Sequence, residues 1–251
     1  MIARSQHDGV LTLRLAHGKA SALDVELLDA LARELDGTAD AEDVRALVLT
    51  GTGSVFSAGV DLFRVTRDGA SYVRQFLPVL SRFLRTLFTF PRPVVAALNG
   101  HAIAGGCVIA LACDARLMAE GEGRIGLPEL LVGVPFPTAA LEVARFAVPR
   151  EKLQSLIYTG RTLSAQEALG AGLVDEVVAA GALPVRAQEV ARQLALIPPP
   201  VYRLTKQSLR AEALERIERA GEQPDRAGLE VWSATETHAQ IRDYLRRTLD
   251  K

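Results

Sequence analysis

The sequence predicts an α/β fold followed by an all-helical C-terminal region. Over residues 1–195, short apolar or alternating segments typical of strands are interleaved with segments whose apolar residues recur at helical spacing. Residues 198–200 are three consecutive prolines, and from about residue 201 charged and apolar residues follow helical spacing. We therefore expect an α/β core over 1–195 and a helical region over 196–251, which packs on the core or on another subunit.

The individual strands and helices are predicted from the same two patterns, the apolar or alternating segments of strands and the helical spacing of apolar residues. Residues 9–15 alternate between apolar and polar, which indicates a half-buried strand. Ser21 and Ser164 each begin a sequence that matches a capping box, which predicts a helix start. The predicted strands are residues 9–15, 44–50, 93–98, 115–119 and 173–178, and the predicted helices are residues 25–37, 71–90, 107–113, 138–146, 150–158, 165–170 and 182–195.

Composition narrows the classes of function. The 251 residues are 49% hydrophobic with a net charge of −1, which favours a large core and disfavours nucleic acid as a partner. No apolar run is long enough to span a membrane, and residues 1–8 lack a signal-peptide core, so we expect a cytoplasmic protein. Cys107 and Cys113 fall on one apolar helix, and the four histidines form no ligand-spaced cluster. We expect buried thiols, no disulfide, no metal ion and no cofactor.

Two turns of small residues follow strands of the predicted core. Asn99 and Gly100 end the strand 93–98, and residues 104–106 (A-G-G) lead into the apolar helix 107–113. This arrangement leaves backbone N–H groups unpaired at the helix start, where the helix dipole is positive. Glycine there lets a ligand approach the backbone, which suits a phosphate, a carboxylate or an oxyanion formed during a reaction. Residues 55–61 (V-F-S-A-G-V-D) form the first of the two turns along the chain, and residues 104–106 form the second.

Four segments together resemble the crotonase superfamily, which contains the enoyl-CoA hydratases, the enoyl-CoA isomerases and their relatives. Residues 56–62 (F-S-A-G-V-D-L) are similar to the family's F-x-A-G-x-D-(L/I), and residues 93–114 are similar to its strand, glycine turn and helix ending in C-D. Residues 125–133 (I-G-L-P-E-L-L-V-G) resemble F-G-x-P-E-x-x-x-G, and residues 158–178 resemble the segment ending in G-L-V-(D/N)-x-V. The resemblance implies a spiral of ββα units whose C-terminal helices form a homotrimer or a dimer of trimers.

The resemblance also implies where an acyl-CoA thioester, the substrate, would bind. In the family, backbone N–H groups of two segments form an oxyanion hole for the thioester carbonyl, and the matching residues here are Ser57 and Gly105. The adenosine part of CoA lies along one of these segments, and basic residues of the tail often meet its phosphates. The implied CoA-binding residues are Ala58, Gly59, Val60 and Asp61, with Lys206, Arg246 and Arg247 for the phosphates.

The number of catalytic carboxylates separates reactions within this family. Hydratases carry two glutamates that hold one water, whereas this chain has Val108 at the first position and retains only Glu129. Valine can neither activate nor orient water, but one buried carboxylate beside an enolate can move a proton between C2 and C4. The pattern resembles that of mitochondrial-type Δ3,Δ2-enoyl-CoA isomerases. The neighbours Leu127, Leu130 and Leu131 would raise the pKa of Glu129 by desolvation.

We therefore expect a Δ3,Δ2-enoyl-CoA isomerase of fatty acid metabolism. Two alternatives remain open: an enoyl-CoA hydratase, with one glutamate or with a second acid from elsewhere, and a catalytically silent acyl-CoA-binding scaffold. Decarboxylases, dehalogenases and C–C hydrolases of the superfamily use the same oxyanion hole and are not excluded. Ala104 replaces the first of three family glycines, and the segment after Glu129 lacks the hydratases' G-A-G-G-T-Q, so the preferred acyl chain length stays open.

Overall fold

The computed structural model of the protein describes residues 1–220 and 222–249. The strands are β1 (Ile2–His7), β2 (Val10–Leu15), β3 (Ala46–Thr50), β4 (Val55–Ser57), β5 (Val94–Leu98), β6 (His101–Ile103), β7 (Ala115–Ala119), β8 (Ile125–Gly126), β9 (Thr162–Leu163) and β10 (Glu176–Val178). The helices are α1 (Val25–Thr38), α2 (Leu62–Thr89), α3 (Gly105–Ala112), α4 (Glu129–Val132), α5 (Thr138–Ala147), α6 (Arg150–Thr159), α7 (Ala165–Gly170), α8 (Leu183–Ala195), α9 (Pro199–Ala220), α10 (Glu222–Ser233) and α11 (Thr235–Leu249).

The strands form two sheets, one in the order β1-β2-β3-β5-β7-β10 and the other in the order β4-β6-β8-β9. Neighbouring strands are parallel except in the pairs β1–β2 and β8–β9. Along the chain, β3, β5 and β7 enter the large sheet, β4, β6 and β8 follow in the small sheet, and α2, α3 and α4 come next. The predicted α/β spiral of ββα units is confirmed.

Both faces of the large sheet are covered at its central strands β3, β5 and β7, which explains why these strands are almost continuously apolar. On β3, Leu47 and Leu49 belong to the main core with α1, α2 and α3, whereas Val48 belongs to a second core under α8. This alternation is the two-residue period of a strand. α8 closes the second core with Leu183 and Ala187, and the burial on both sides fixes the register of the central strands.

Three local predictions differ from the structure. The N-cap of α1 is Asp24, whose Oδ1 accepts the Leu27 N–H at 2.8 Å, and not Ser21. α2 begins nine residues before the expected start, because the Asp61 side chain caps it and a kink at Gly69, with a φ of 69°, joins two helical stretches. β1 was not predicted, because most of its side chains are exposed and it shows no apolar alternation. The capping box at Ser164 is confirmed.

The C-terminal region is helical, as predicted, and folds back on the chain's own core. α10 and α11 pack against α2, and α9 packs against α5. Trp232 of α10 and Ile241 of α11 are buried in the main core. Among the described helices, none is both long and apolar enough to cross a membrane.

Candidate active site

A cavity lies where three parallel strands of the small sheet end. β4, β6 and β8 run parallel, so their carboxyl ends lie at one edge, where ligand sites of parallel sheets usually form. The chain segments that follow the three strands form one side of the cavity, whose volume is about 60 Å³. The residues contributed by these segments are Ala58, Val60, Ala104, Gly105, Pro128 and Glu129.

The two turns predicted from the sequence pack directly against each other. A Cβ atom on Gly59 would lie 2.6 Å from the Ile103 carbonyl oxygen and 3.1 Å from the Gly105 nitrogen. A Cβ atom on Gly106 would lie 2.4 Å from the Ser57 carbonyl oxygen. Glycine is needed at both positions because backbone, which cannot give way, occupies the space. The structure thus brings Ser57 and Gly105 together.

The second turn is strained at its first residue. Ala104 has φ 51° and ψ −123°, a conformation that glycine adopts easily and that costs other residues about 1–3 kcal/mol. The Ala104 N–H donates to the Gly126 carbonyl at 2.9 Å, which ties the turn to β8. α3 starts at the next residue, and within residues 1–220 and 222–249 the Gly105 N–H has no hydrogen-bond partner.

The Ser57 hydroxyl stabilises the first turn. It is buried, donates to the Ser21 carbonyl at 2.8 Å and accepts the Gly59 N–H at 3.2 Å. Leu23 adds two backbone bonds, from its N–H to the Gly59 carbonyl at 2.8 Å and from the Asp61 N–H to its own carbonyl at 3.0 Å. Because the hydroxyl holds the loop in place, the backbone of Ser57, not its side chain, is the part suited to bind a ligand.

Glu129 is a buried carboxylate on the wall of this cavity. It is the first residue of α4 and only 8% exposed, and its Oε2 atom has no hydrogen-bond partner within the described part of the chain. Burial raises the pKa of Glu129 to about 8. Of the three leucines expected to desolvate it, Leu127 is buried, whereas Leu130 and Leu131 are exposed. Val108 instead lines the same cavity as Glu129.

Helices far along the chain supply the remaining walls. Tyr244 of α11 and Trp232 of α10 line the cavity together with apolar residues of α2 and α5. Sequence reasoning missed these residues because each lies on an ordinary amphipathic helix. The single tryptophan of the chain was the one available signal. The added residues are Leu62, Leu80, Leu84, Pro137, Ala140, Trp232 and Tyr244.

The structure does not bring Lys206 to this cavity. The Lys206 ammonium is buried, with Nζ 2.7 Å from Asp114 Oδ2 and 3.2 Å from the Arg92 carbonyl oxygen. Arg210 binds the other Asp114 oxygen at 2.8 Å, so two cations of α9 hold one carboxylate at the end of α3. Burial lowers the pKa of Lys206 to about 8. Two of its three N–H groups are used inside the fold, and the expected contact between Lys206 and CoA phosphates stays a prediction.

The remaining residues considered from the sequence, two arginines and two cysteines, do not line this cavity. Arg246 and Arg247 are exposed on α11, and both contact Asp243. Cys107 and Cys113 are free and buried, and burial raises the pKa of each thiol, that of Cys113 to about 12. In the part of the chain that the structure describes, no three His, Cys, Asp or Glu side chains are grouped to hold a metal ion.

Known proteins resemble this chain in sequence and in fold. Residues 5–247 match the family described as enoyl-CoA hydratase/isomerase. The chain is 30% identical to the 2,3-dehydroadipyl-CoA hydratase of Escherichia coli over 249 residues, which are 98% of this chain and 95% of that protein. One protein of Mycobacterium tuberculosis has been described as an enoyl-CoA isomerase in one structure and as a probable enoyl-CoA hydratase in another. The first of these structures is 32% identical, with a TM-score of 0.81 over 93% of this chain and 98% of that one. Human mitochondrial Δ3-Δ2-enoyl-CoA isomerase has the same fold, with a TM-score of 0.94 at 24% identity over 99% and 98% of the two chains.

Proposed function

This chain belongs to the enoyl-CoA hydratase/isomerase family, and we propose that it is a Δ3,Δ2-enoyl-CoA isomerase in which Glu129 carries the proton. The observation that carries the proposal is a single buried carboxylate in the cavity, with one oxygen unpartnered among the described residues. Val108 lines the same cavity where hydratases of the family carry a second glutamate.

The proposed reaction moves one proton within the acyl chain. The carbonyl oxygen of a 3-enoyl-CoA accepts the N–H groups of Ser57 and Gly105, which stabilise the negative charge that develops on it. The Glu129 carboxylate removes a proton from C2, and the electron pair of that C–H bond forms a dienolate. Glu129 then returns the proton to C4, the double bond moves to C2–C3, and the carboxylate is regenerated with no net gain or loss of protons.

The surroundings of Glu129 suit this role. A base works best when its pKa lies near the working pH, and burial raises the pKa of this carboxyl to about 8. The apolar side chain of Val108 offers no second group to hold a water molecule, so addition of water to the double bond lacks the pair of acids it needs. Proton return to C4 is then favoured over hydration.

We also propose how CoA binds and how the chain assembles. The backbone of residues 58–61, fixed by its bonds to Leu23, would bind the adenosine part of CoA. Exposed apolar side chains on α9 favour assembly into a homotrimer or a dimer of trimers, which light scattering of the purified protein would test. The exposed apolar residues of α9 are Val201, Leu204 and Leu209.

Hydration of a 2-enoyl-CoA is the second candidate function. One argument for it is the 30% identity to the Escherichia coli hydratase over 98% of this chain. The other is Tyr244, which lines the cavity and is a second group there that can donate a proton. If Tyr244 took the place of the missing glutamate, Tyr244→Phe would abolish hydration. The same variant would leave isomerisation of a 3-enoyl-CoA largely intact.

A paired assay tests the proposal. Purified protein is supplied with 3-hexenoyl-CoA and with crotonyl-CoA, in parallel with Glu129→Gln and with Glu151→Gln as a control at an exposed glutamate of α6. We expect isomerisation without hydration, at least 10³-fold reduced in Glu129→Gln and unchanged in the control. Full isomerase activity of Glu129→Gln would refute the proposal, and rapid hydration of crotonyl-CoA would favour the hydratase. Binding without turnover of either substrate would favour a silent scaffold.

A further inference from the structure

A second, larger space adjoins the catalytic cavity on the outer side of α10. This outer groove lies between α2 and α10 and is lined by Leu77 and Pro78 of α2 and by Leu229 of α10. It shares two residues, Pro137 and Trp232, with the cavity that contains Glu129. The two spaces therefore meet at these two side chains.

Trp232 is held rigidly at this boundary. The side chain is 3% exposed, and its indole Nε1–H donates to the Pro135 carbonyl at 2.9 Å. Its own carbonyl accepts from His238 Nε2 at 2.9 Å, which fixes the start of α11. Two turns before Trp232 on α10, Asp225 Oδ1 accepts the Thr138 N–H at 2.8 Å. The indole hydrogen bond holds the ring, and the other two bonds hold the helix that carries it, as expected of a wall and not of a mobile lid.

The volumes of the two spaces differ about tenfold. The catalytic cavity measures about 60 Å³ and the outer groove about 600 Å³. At roughly 10–15 Å³ for each water-sized group, the cavity holds roughly four to six such groups, which matches a short acyl chain. A longer chain needs further apolar space, which the adjoining groove offers at Leu77, Pro78 and Leu229. Its polar lining residues are Ser81, Asp225 and Arg226.

We propose that Trp232 is a specificity-determining residue that separates the catalytic cavity from the outer groove and thereby limits the length of the acyl chain. When Trp232 is replaced by a smaller residue, the groove becomes continuous with the cavity. Its occupant is then the distal part of the acyl chain of the bound thioester. This inference rests on the proposed function only in that an acyl-CoA binds beside Glu129; it does not depend on which reaction follows.

Binding of saturated acyl-CoAs measures this effect without turnover. Titration calorimetry with hexanoyl-CoA and dodecanoyl-CoA gives a ratio of dissociation constants for each variant. In Trp232→Ala we expect that ratio to shift at least tenfold in favour of dodecanoyl-CoA relative to the unaltered protein. Trp232→Leu, which leaves less of a gap in the core, should shift the ratio in the same direction, so the test does not depend on one variant folding. Trp232→Phe keeps most of the ring and should leave the ratio unchanged.

A second substitution tests whether the chain enters the outer groove. Adding Leu229→Asp to Trp232→Ala places a carboxylate in the groove, and the gain for dodecanoyl-CoA should disappear while binding of hexanoyl-CoA persists. An unchanged ratio in folded Trp232→Ala and Trp232→Leu would overturn this inference and leave the proposed function standing. If the unaltered protein bound neither thioester, the proposed function would be wrong and the inference would fall with it.

Discussion

Replacing Glu129 with glutamine should stabilise the protein by an amount that grows with pH. Burial raises the pKa of this carboxyl from its ordinary 4.5 to about 8, so the folded state holds the proton more tightly than the unfolded state does. For such a group, no stability is lost below pH 4.5, the loss grows as pH rises from 4.5 to about 8, and it is complete above that range. Glutamine stays neutral and removes the loss.

The magnitude follows from the two pKa values. One pKa unit corresponds to about 1.36 kcal/mol, so the full penalty above pH 8 is on the order of 5 kcal/mol. The same values give a penalty of about 1 kcal/mol at pH 5 and about 3 kcal/mol at pH 7. At pH 5 the carboxyl is mostly neutral in the folded protein, so any difference between Glu129→Gln and the parent beyond that penalty of about 1 kcal/mol reports how the amide packs.

Urea unfolding at pH 5, 7 and 9, at one fixed protein concentration, measures the effect. We expect the stability gain of Glu129→Gln to be about 4 kcal/mol larger at pH 9 than at pH 5, while Glu151→Gln, at an exposed site, changes by the same small amount at each pH. A gain in Glu129→Gln that does not depend on pH would refute the reasoning, because Glu129 would then have an ordinary pKa in the folded protein.

Four further predictions concern the cavity that contains Glu129 and the two turns beside it. In the isomerase assay, kcat/KM should rise about tenfold per pH unit up to a pH of about 8 and then level off, because Glu129 must be ionised to accept a proton. A flat profile between pH 6 and 8 would contradict this prediction. Val108→Glu should gain measurable hydration of crotonyl-CoA, whereas Val108→Leu, its uncharged control, should not. Ala104→Gly should raise the free energy of unfolding by about 1 kcal/mol and keep activity, since glycine relieves the strain at φ 51°. A lower free energy of unfolding in urea would argue against backbone strain at this residue. Gly59→Ala, by contrast, should weaken acyl-CoA binding at least tenfold in calorimetry, because its Cβ would lie 2.6 Å from the Ile103 carbonyl oxygen.

The alternation of strands and helices and the two turns could be predicted from the sequence because both depend on local properties, whereas the spiral of ββα units was implied by the family resemblance. Strand and helix periods are repeated over a few residues, and a turn that needs Gly59 or Gly106 reveals that need in the sequence itself. β6 was not predicted from the sequence. It has only three residues, between Gly100 and the second turn, and is too short to show the two-residue period of a strand. Glu129 could be singled out because its motif is also local.

Burial, pairing and the walls of the site were decided by the tertiary structure. Lys206 is a charged residue on a largely polar helix, and its burial depends on Asp114, 92 residues earlier in the sequence. Trp232 and Tyr244 reach the cavity only because α10 and α11 fold back against α2. The sequence by itself determined which backbone turns and which carboxylate this protein has, because short-range conformation depends on neighbouring residues. Only the tertiary structure decided what surrounds them, because desolvation and shape arise from contacts between residues far apart in the chain.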